Sequence, residues 1–245
     1  MKKIIGLVAV TIFLFGYKAK VEPFGVYNIK AEVNGKVVMA NKNLEAANVK
    51  NKLIIKIDDT DNKIDVENLQ TQLALLKEQI NNQEVVVQRK KEIYERYKKL
   101  KTRSQTEKDL KFFDYISSLN QLINLKSQYS NTLANLKKIK ETIKKKSIKA
   151  NGYLFKIYVK KDDYVNLGSL IAKVYDISKQ KLTIYVPTEE RENIKNKKVY
   201  VNGKKSNFTI YKIWNVTDDK FVTSYKIELV GSGLKFGEIV NIELK

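Results

Sequence analysis

The spacing of hydrophobic residues changes period twice along this chain. In YNIKAEVNGKVVMANKN, starting at Tyr27, apolar and polar residues alternate, as in a strand with one buried face. ANVKNKLIIKIDD carries the strand-like pattern on to Asp59. The period then lengthens. From Ile64 to Lys146 there is no Pro and no Gly, and strong helix formers dominate. Val66, Leu69, Leu73, Leu76, Ile80 and Val87 recur at spacings of three, four and seven. A second seam runs through Phe112, Ile116, Leu119, Ile123, Tyr129, Leu133, Leu136 and Ile143. Both are narrow stripes of the a/d type. Between them, KLKTRSQTEKD is polar after Leu100 and holds S-x-x-E and T-x-x-D capping boxes from Ser104 and Thr106. The pattern predicts helix, tight turn, helix, with arms of about forty residues that reach about 60 Å. Asp58, Asp59 and Asp61 at the start and Lys144 to Lys146 at the end complement the helix dipoles.

After Lys146 the short period returns. SIKANGYLFKIYVKKDDYVNLGSLIAKVYD reads as a strand, a turn at Asn151-Gly152, a second strand, the turn KKDDYVNLG and a final strand. Asn34-Gly35 reads as a hairpin turn. LIIKIDD from Leu53 and LIAKVYD from Leu170 are near copies 117 residues apart, too far for a solenoid period. Two arms with a thin seam cannot make a globular core. The strand-rich halves on either side must therefore close at the base of the arms, as one β-module split by a helical insertion. The tail reads as further short strands, with TEERENI as a short helical crossover.

Composition narrows the function classes. The 245 residues include no Cys and no His, which removes disulfides, zinc sites and imidazole-based catalysis. No enzyme and no cofactor is expected. The net charge of +20 is spread as roughly +5 over residues 1–59, +8 over 60–146 and +7 over 147–245, with Lys far outnumbering Arg. No nucleic-acid partner is expected. At the N-terminus, Lys2 and Lys3 precede an apolar run from Ile4 to Phe15. A run of about a dozen residues matches a signal-peptide core and is short of the ~20 of a spanning helix. Residues 1–20 therefore read as a signal peptide or an N-terminal membrane anchor, with Lys2 and Lys3 left in the cytoplasm.

KKDDYVNLGSLIAKV resembles the G-D-x-V-x-x-G-x-x-L turn of biotinyl/lipoyl-type domains. With strand-rich halves on both sides of a coiled-coil hairpin, the chain resembles the membrane-fusion proteins, or HlyD-like periplasmic adaptors. The closing GLKFGEIVNIEL is similar to the family's L-x-P-G-x-x-V element, with Phe236 in place of Pro. The first half-motif lacks its glycines and offers Asn48, Asn51 and Lys52, and Asn151 stands where the family usually has Pro. The resemblance implies an elongated α+β chain. Its parts are a first half of a lipoyl-like barrel-sandwich hybrid (21–58), an α-helical coiled-coil hairpin (59–146), the second half (147–178) and a β-barrel domain (179–245). Gly35, Gly152, Gly168 and Gly237 are its expected structural turns. No M-K-M tripeptide marks a lipoyl attachment lysine at Lys50 or Lys52.

The resemblance also implies partners. An adaptor of this kind is periplasmic, held at the inner membrane through its N-terminus, and forms a ring with copies of itself, commonly a hexamer. It links an inner-membrane transporter to an outer-membrane channel. With no membrane-proximal domain after the barrel, an ABC-type transporter is favoured over a resistance–nodulation–division type. Family hairpin tips present an Arg, a Leu four residues on and a Ser about seven beyond. Here Arg96 and Leu100 match, and Thr106 takes the Ser place if one residue is deleted. Ser104 and Thr106 offer hydroxyls to cap the second helix. The competing expectation is an envelope-tethered structural or adhesive coiled-coil protein.

Overall fold

The computed structural model describes residues 16–190, 194–217 and 221–245. The apolar run Ile4 to Phe15 lies outside the described residues. In chain order the elements are β1 (Tyr17–Lys20), β2 (Glu22–Lys30), β3 (Gly35–Ala40), β4 (Ala47–Ile57), α1 (Thr60–Lys99) and α2 (Gln105–Lys145). There follow β5 (Ser147–Ile157), β6 (Tyr164–Val165), β7 (Leu170–Pro187), β8 (Val199–Val201) and β9 (Lys204–Lys205). The chain closes with β10 (Thr209–Thr217), β11 (Ser224–Gly231) and β12 (Ile239–Leu244).

The first heptapeptide copy closes β4 and runs on into Asp58 and Asp59, the second opens β7, and both strands pair with β5. The ladder β2-β7-β5-β4-β3-β6 buries Ile54, Ile55, Ile57, Leu154, Ile157, Ile171 and Val174 in one core. Strands from both sides of the helical insertion thus share a single core, and the sheet folds over on itself to enclose it. Each fully buried Ile or Leu contributes about 1.5–3 kcal/mol of burial.

Two Asn-Gly pairs behave differently from the sequence expectation. Asn34-Gly35 is not a hairpin turn, because β2 pairs with β7 while β3 pairs with β4 and β6. Asn34 Oδ1 instead accepts from the Leu167 amide at 2.6 Å. Asn151-Gly152 is not a turn either. β5 runs straight through it, opposite a bulge of β4 between Val49 and Lys52, where Asn51 takes φ +51°. Asn151 Oδ1 accepts from the Asn51 amide at 2.6 Å. Gly152 holds φ +111°, and a Cβ there would lie 2.9 Å from the Tyr175 carbonyl. Gly168 and Gly237 turn at φ +85° and +86° with open space around them.

A second core joins β1-β12-β8-β9 to β10-β11-β7 through Leu182, Ile184, Val199, Ile227, Leu229, Val240 and Ile242. The two sheets face each other, and the β1–β2 run links them at one corner. β1 pairs with β12, while β2 starts opposite Lys181 of β7. Tyr17–Lys20 therefore belongs to this module, where the sequence placed it in the N-terminal signal or anchor segment; Ala19 is 4% exposed and holds it there. The boundary expected at 178/179 falls inside β7, an unbroken strand that serves the first core at Ile171 to Val174 and the second at Leu182 to Val186. At the crossing, buried Gln180 donates to the Leu234 carbonyl and accepts from its amide at 2.9 Å, pinning the loop before β12. The TEERENI crossover is a 3-10 turn at Thr188–Glu190 and another at Ile194–Asn196, with the residues between them outside those described.

The helices pack as an antiparallel pair. On α1 the inward positions are Asn62, Val66, Leu69, Leu73, Leu76, Ile80, Gln83, Val87, Lys90, Tyr94 and Tyr97. On α2 they are Lys111, Tyr115, Ser118, Leu122, Leu125, Tyr129, Thr132, Leu136, Ile139 and Ile143. Both sets alternate in steps of four and three, the heptad period that winds helices into a left-handed coiled coil. On α2 the seam differs from the one expected. Phe112 and Ile123 face outward, and Ser118, Leu122 and Thr132 take their places. A buried amide left unpaired costs about 1–3 kcal/mol. Gln83 avoids this by donating to the Ser118 carbonyl at 2.8 Å, which ties the two helices in one register.

Candidate partner interface

The hairpin leaves the split module with almost no slack. Only Asp58 and Asp59 separate β4 from α1, and only Lys146 separates α2 from β5. The Ile57 amide donates to the Lys146 carbonyl at 2.8 Å, and Lys146 Nζ donates to the Asp58 carbonyl at 2.7 Å. Asp58 accepts from the Thr60 amide and hydroxyl, and these bonds hold its carboxyl below the usual range. Asp59 stands at the N-cap of α1 but does not cap it. It is buried, ion-paired to Lys56 and, at 3.2 Å, to Lys63, while Lys56 also donates to Ser147 Oγ at 2.8 Å. Burial pushes the Asp59 carboxyl up, but the two lysines outweigh it and hold the group below its ordinary value. One acid thus clamps β4, α1 and β5 together at the root.

At the far end α1 stops at Lys99. The Leu100 amide closes onto the Tyr97 carbonyl at 3.1 Å, and its extended backbone ends the helix. Ser104 starts α2 with a complete capping box: its Oγ accepts from the Glu107 amide at 3.3 Å, and Glu107 Oε2 accepts from the Ser104 amide at 3.0 Å. That amide, together with the Ser104 hydroxyl and Arg103 at 3.1 Å, depresses the Glu107 carboxyl. Thr106 does not cap, since α2 begins at Gln105 and Thr106 lies inside the first turn.

Arg96, Leu100, Ser104 and Thr106 therefore gather in the last turn of α1, the connecting turn and the first turn of α2, and all four are exposed. Among the described residues the Arg96 side chain has no ion pair. Beside them is a group the sequence reading passed over. Tyr94 lies 5.4 Å from Phe112 and 6.4 Å from Tyr115, and Phe112 lies 5.8 Å from Phe113. Lys98 covers Tyr94, while Arg103 and Lys111 cover Tyr97, at 5.6–5.8 Å from the ring centres. The signal was present in YERY and FFDY, whose outer rings are three residues apart and share a helix face.

Among the described residues no acidic cluster could hold a metal ion, and no helix is long and apolar enough to cross a membrane. Phe236, where the family pattern has Pro, is half-exposed and lines a cleft of about 590 Å³ between the two β-modules.

No protein-family model matches the sequence, and no curated protein does. Solved structures do match. MacA from Actinobacillus actinomycetemcomitans superposes with a TM-score of 0.79 at 16% identity, over 94% of this chain and 78% of that one. The membrane fusion protein Spr0693 from Streptococcus pneumoniae R6 gives 0.67 at 11% identity, over 93% and 97%. A MacA-MexA chimeric protein with the Pseudomonas aeruginosa MexA α-hairpin domain gives 0.61 at 18%, over 94% and 78%. Hairpin, split β-module and C-terminal β-module occur here in one order along one chain: the protein has the membrane-fusion-protein fold.

Proposed function

We propose that the chain is a non-enzymatic periplasmic adaptor, attached to or associated with the inner membrane. It links an inner-membrane transporter, with an ABC-type exporter favoured, to an outer-membrane channel. The observation that carries this reading is the clamped hairpin, which holds its capped tip about 60 Å from the β-core. Residues 21–58 and 147–178 act as one unit, 59–146 as the reaching arm, and 179–245 with Tyr17–Lys20 as the barrel-like unit near the transporter. Copies assemble into a ring, as a hexamer, with the hairpins bundled into a tube. Arg96, Leu100, Ser104 and Thr106 belong to the channel-facing end.

The absence of native cysteines makes the test direct. Thr102→Cys places a crosslinker at the apex, and Val216→Cys, at a residue 76% exposed, places one on the C-terminal module. Crosslinking in intact cells followed by mass spectrometry is expected to capture an outer-membrane channel from the apex and a transporter subunit from Val216. Self-crosslinks alone from both positions would replace the adaptor reading with the envelope-tethered coiled-coil protein.

A further inference from the structure

Charge is uneven along the hairpin. The stretch from Arg89 to Lys111 holds ten Lys and Arg against four Asp and Glu, a net +6. The remainder of the two helices, 60–88 and 112–145, holds eight against seven, a net +1. Because the chain reverses between Leu100 and Ser104, both halves of the basic stretch meet at one end of the molecule. What a count over the whole helical segment averages out is a single basic knob at the fold-back.

The acids at this end are largely engaged already. Glu92 pairs with Arg89 at 3.5 Å, Glu107 with Arg103 at 3.1 Å, and Asp109 accepts from Gln105 at 2.8 Å. Among the described residues, Lys90, Lys91, Arg96, Lys99, Lys101 and Lys108 have no ion pair. Like charges crowded one helical turn apart repel and cost stability. The C-terminal dipole of α1 offsets part of that cost at Arg96, Lys98 and Lys99, which lie in the last turn of the helix. Apolar surface lies beside the charge: Phe113 is 64% exposed, Leu110 58% and Phe112 39%.

We infer that the tip docks on an acidic protein surface, a rim of Asp and Glu carboxylates at the end of the channel partner. The inference rests on the adaptor reading. Lysines and Arg96 reach the carboxylates through charge-assisted hydrogen bonds, and Leu110, Phe112 and Phe113 cover the apolar shoulder beside them. An anionic lipid surface would also attract this charge. A segment that enters lipid, however, presents its apolar residues to the bilayer. Here the apex from Lys98 to Gln105 has Leu100 alone among polar and charged residues, and the aromatic residues lie back along the flank.

The test compares the full chain carrying Thr102→Cys with the same chain carrying also Lys91→Glu, Lys99→Glu and Lys101→Glu. These three exposed side chains make no ion pair, and the change takes the tip from +6 to 0. Capture of the channel in cells is expected to fall at least about tenfold. The crosslinked channel peptide is expected to contain clustered Asp or Glu, and Lys substitutions there are expected to restore capture of the reversed tip. Equal capture of one channel by both tips would overturn the acidic-rim inference while leaving the adaptor reading in place. Self-crosslinks alone would overturn the adaptor reading itself. Flotation of the unreversed chain, but not the reversed one, with phosphatidylglycerol vesicles and with no channel captured would overturn the inference in favour of lipid.

Discussion

Replacing Asp59 with Asn removes one negative charge where α1 leaves β4 and keeps the shape of the side chain. The Asp59 carboxylate is only 7% exposed, so its contacts are shielded from solvent on one side. Its two partners differ. Lys63 is 62% exposed, so this pair is worth about 0.5 kcal/mol or less. Lys56 is 21% exposed and keeps only neutral acceptors when Asp59 is neutral, a loss of about 1.5–2 kcal/mol for a hydrogen bond to a charged group. Asp59→Asn is therefore expected to cost about 2 kcal/mol, and Lys63→Ala about a quarter of that. Urea unfolding followed by circular dichroism at 222 nm reads this well, because helices of 40 and 41 residues dominate the signal. The pH dependence gives a second check. The folded carboxyl titrates below its unfolded value of about 3.9. Its contribution is present in full above that value and is lost as the pH falls through the folded one. The gap between wild type and Asp59→Asn is expected to stay constant from about pH 7 to about pH 5 and to close below about pH 4. A cost at pH 7 no larger than that of Lys63→Ala, or a gap that widens in acid, would refute the clamp.

Two further perturbations separate arguments that the sequence alone leaves merged. Gly152→Ala must hold φ +111° and press a methyl group against the Tyr175 carbonyl, so about 2–3 kcal/mol is expected. Gly168→Ala meets only the backbone strain at φ +85°, about 1 kcal/mol. Equal costs in urea titrations would remove the close-approach argument. At the tip, Ser104→Ala is expected to lose about 1 kcal/mol of capping and Thr106→Ala well under half of that. Amide hydrogen exchange over Gln105 to Lys108 should accelerate about fivefold in the first variant alone; acceleration in both would place the cap elsewhere.

The helices were legible because a stretch free of Pro and Gly, with a seam every three or four residues, has few other solutions. The α2 register was less so. Ser118 and Thr132 occupy seam positions, and a reading that follows only apolar residues steps past them to Ile123. The Asn-Gly pairs misled for a related reason. Asn and Gly tolerate φ > 0 wherever the backbone needs it, and here a bulge and a crossing between strands needed it more than a hairpin did. β1 is four residues long and follows an apolar run, so its alternation was too short to separate from that run. At the tip, Arg96, Leu100 and Ser104 were placed by the helix ends. Ser104 prevailed over Thr106 because Glu107 returns a bond to the Ser104 amide. The basic knob was missed by a charge count over three long segments, because the +6 of Arg89 to Lys111 was averaged with the near-neutral remainder of the helices.

The connections between parts bear on how the molecule could act. β7 crosses from the first core to the second without a break, and the β1–β2 run crosses beside it with only Val21 between strands. β7 pairs with β5, β5 pairs with β4, and these last two strands run directly into the helices. The path from the C-terminal module to the hairpin root is therefore a hydrogen-bonded ladder with ion pairs at its end, and no flexible loop interrupts it. A ladder of this kind transmits rotation where a linker would absorb it. With an arm of about 60 Å, a turn of about 10° at the root carries the tip about 10 Å, roughly the diameter of a helix. A transporter that shifts the C-terminal module by a small angle would thus move the basic tip by a whole helix position against its partner. Asp59 is the one buried charge in that transmission.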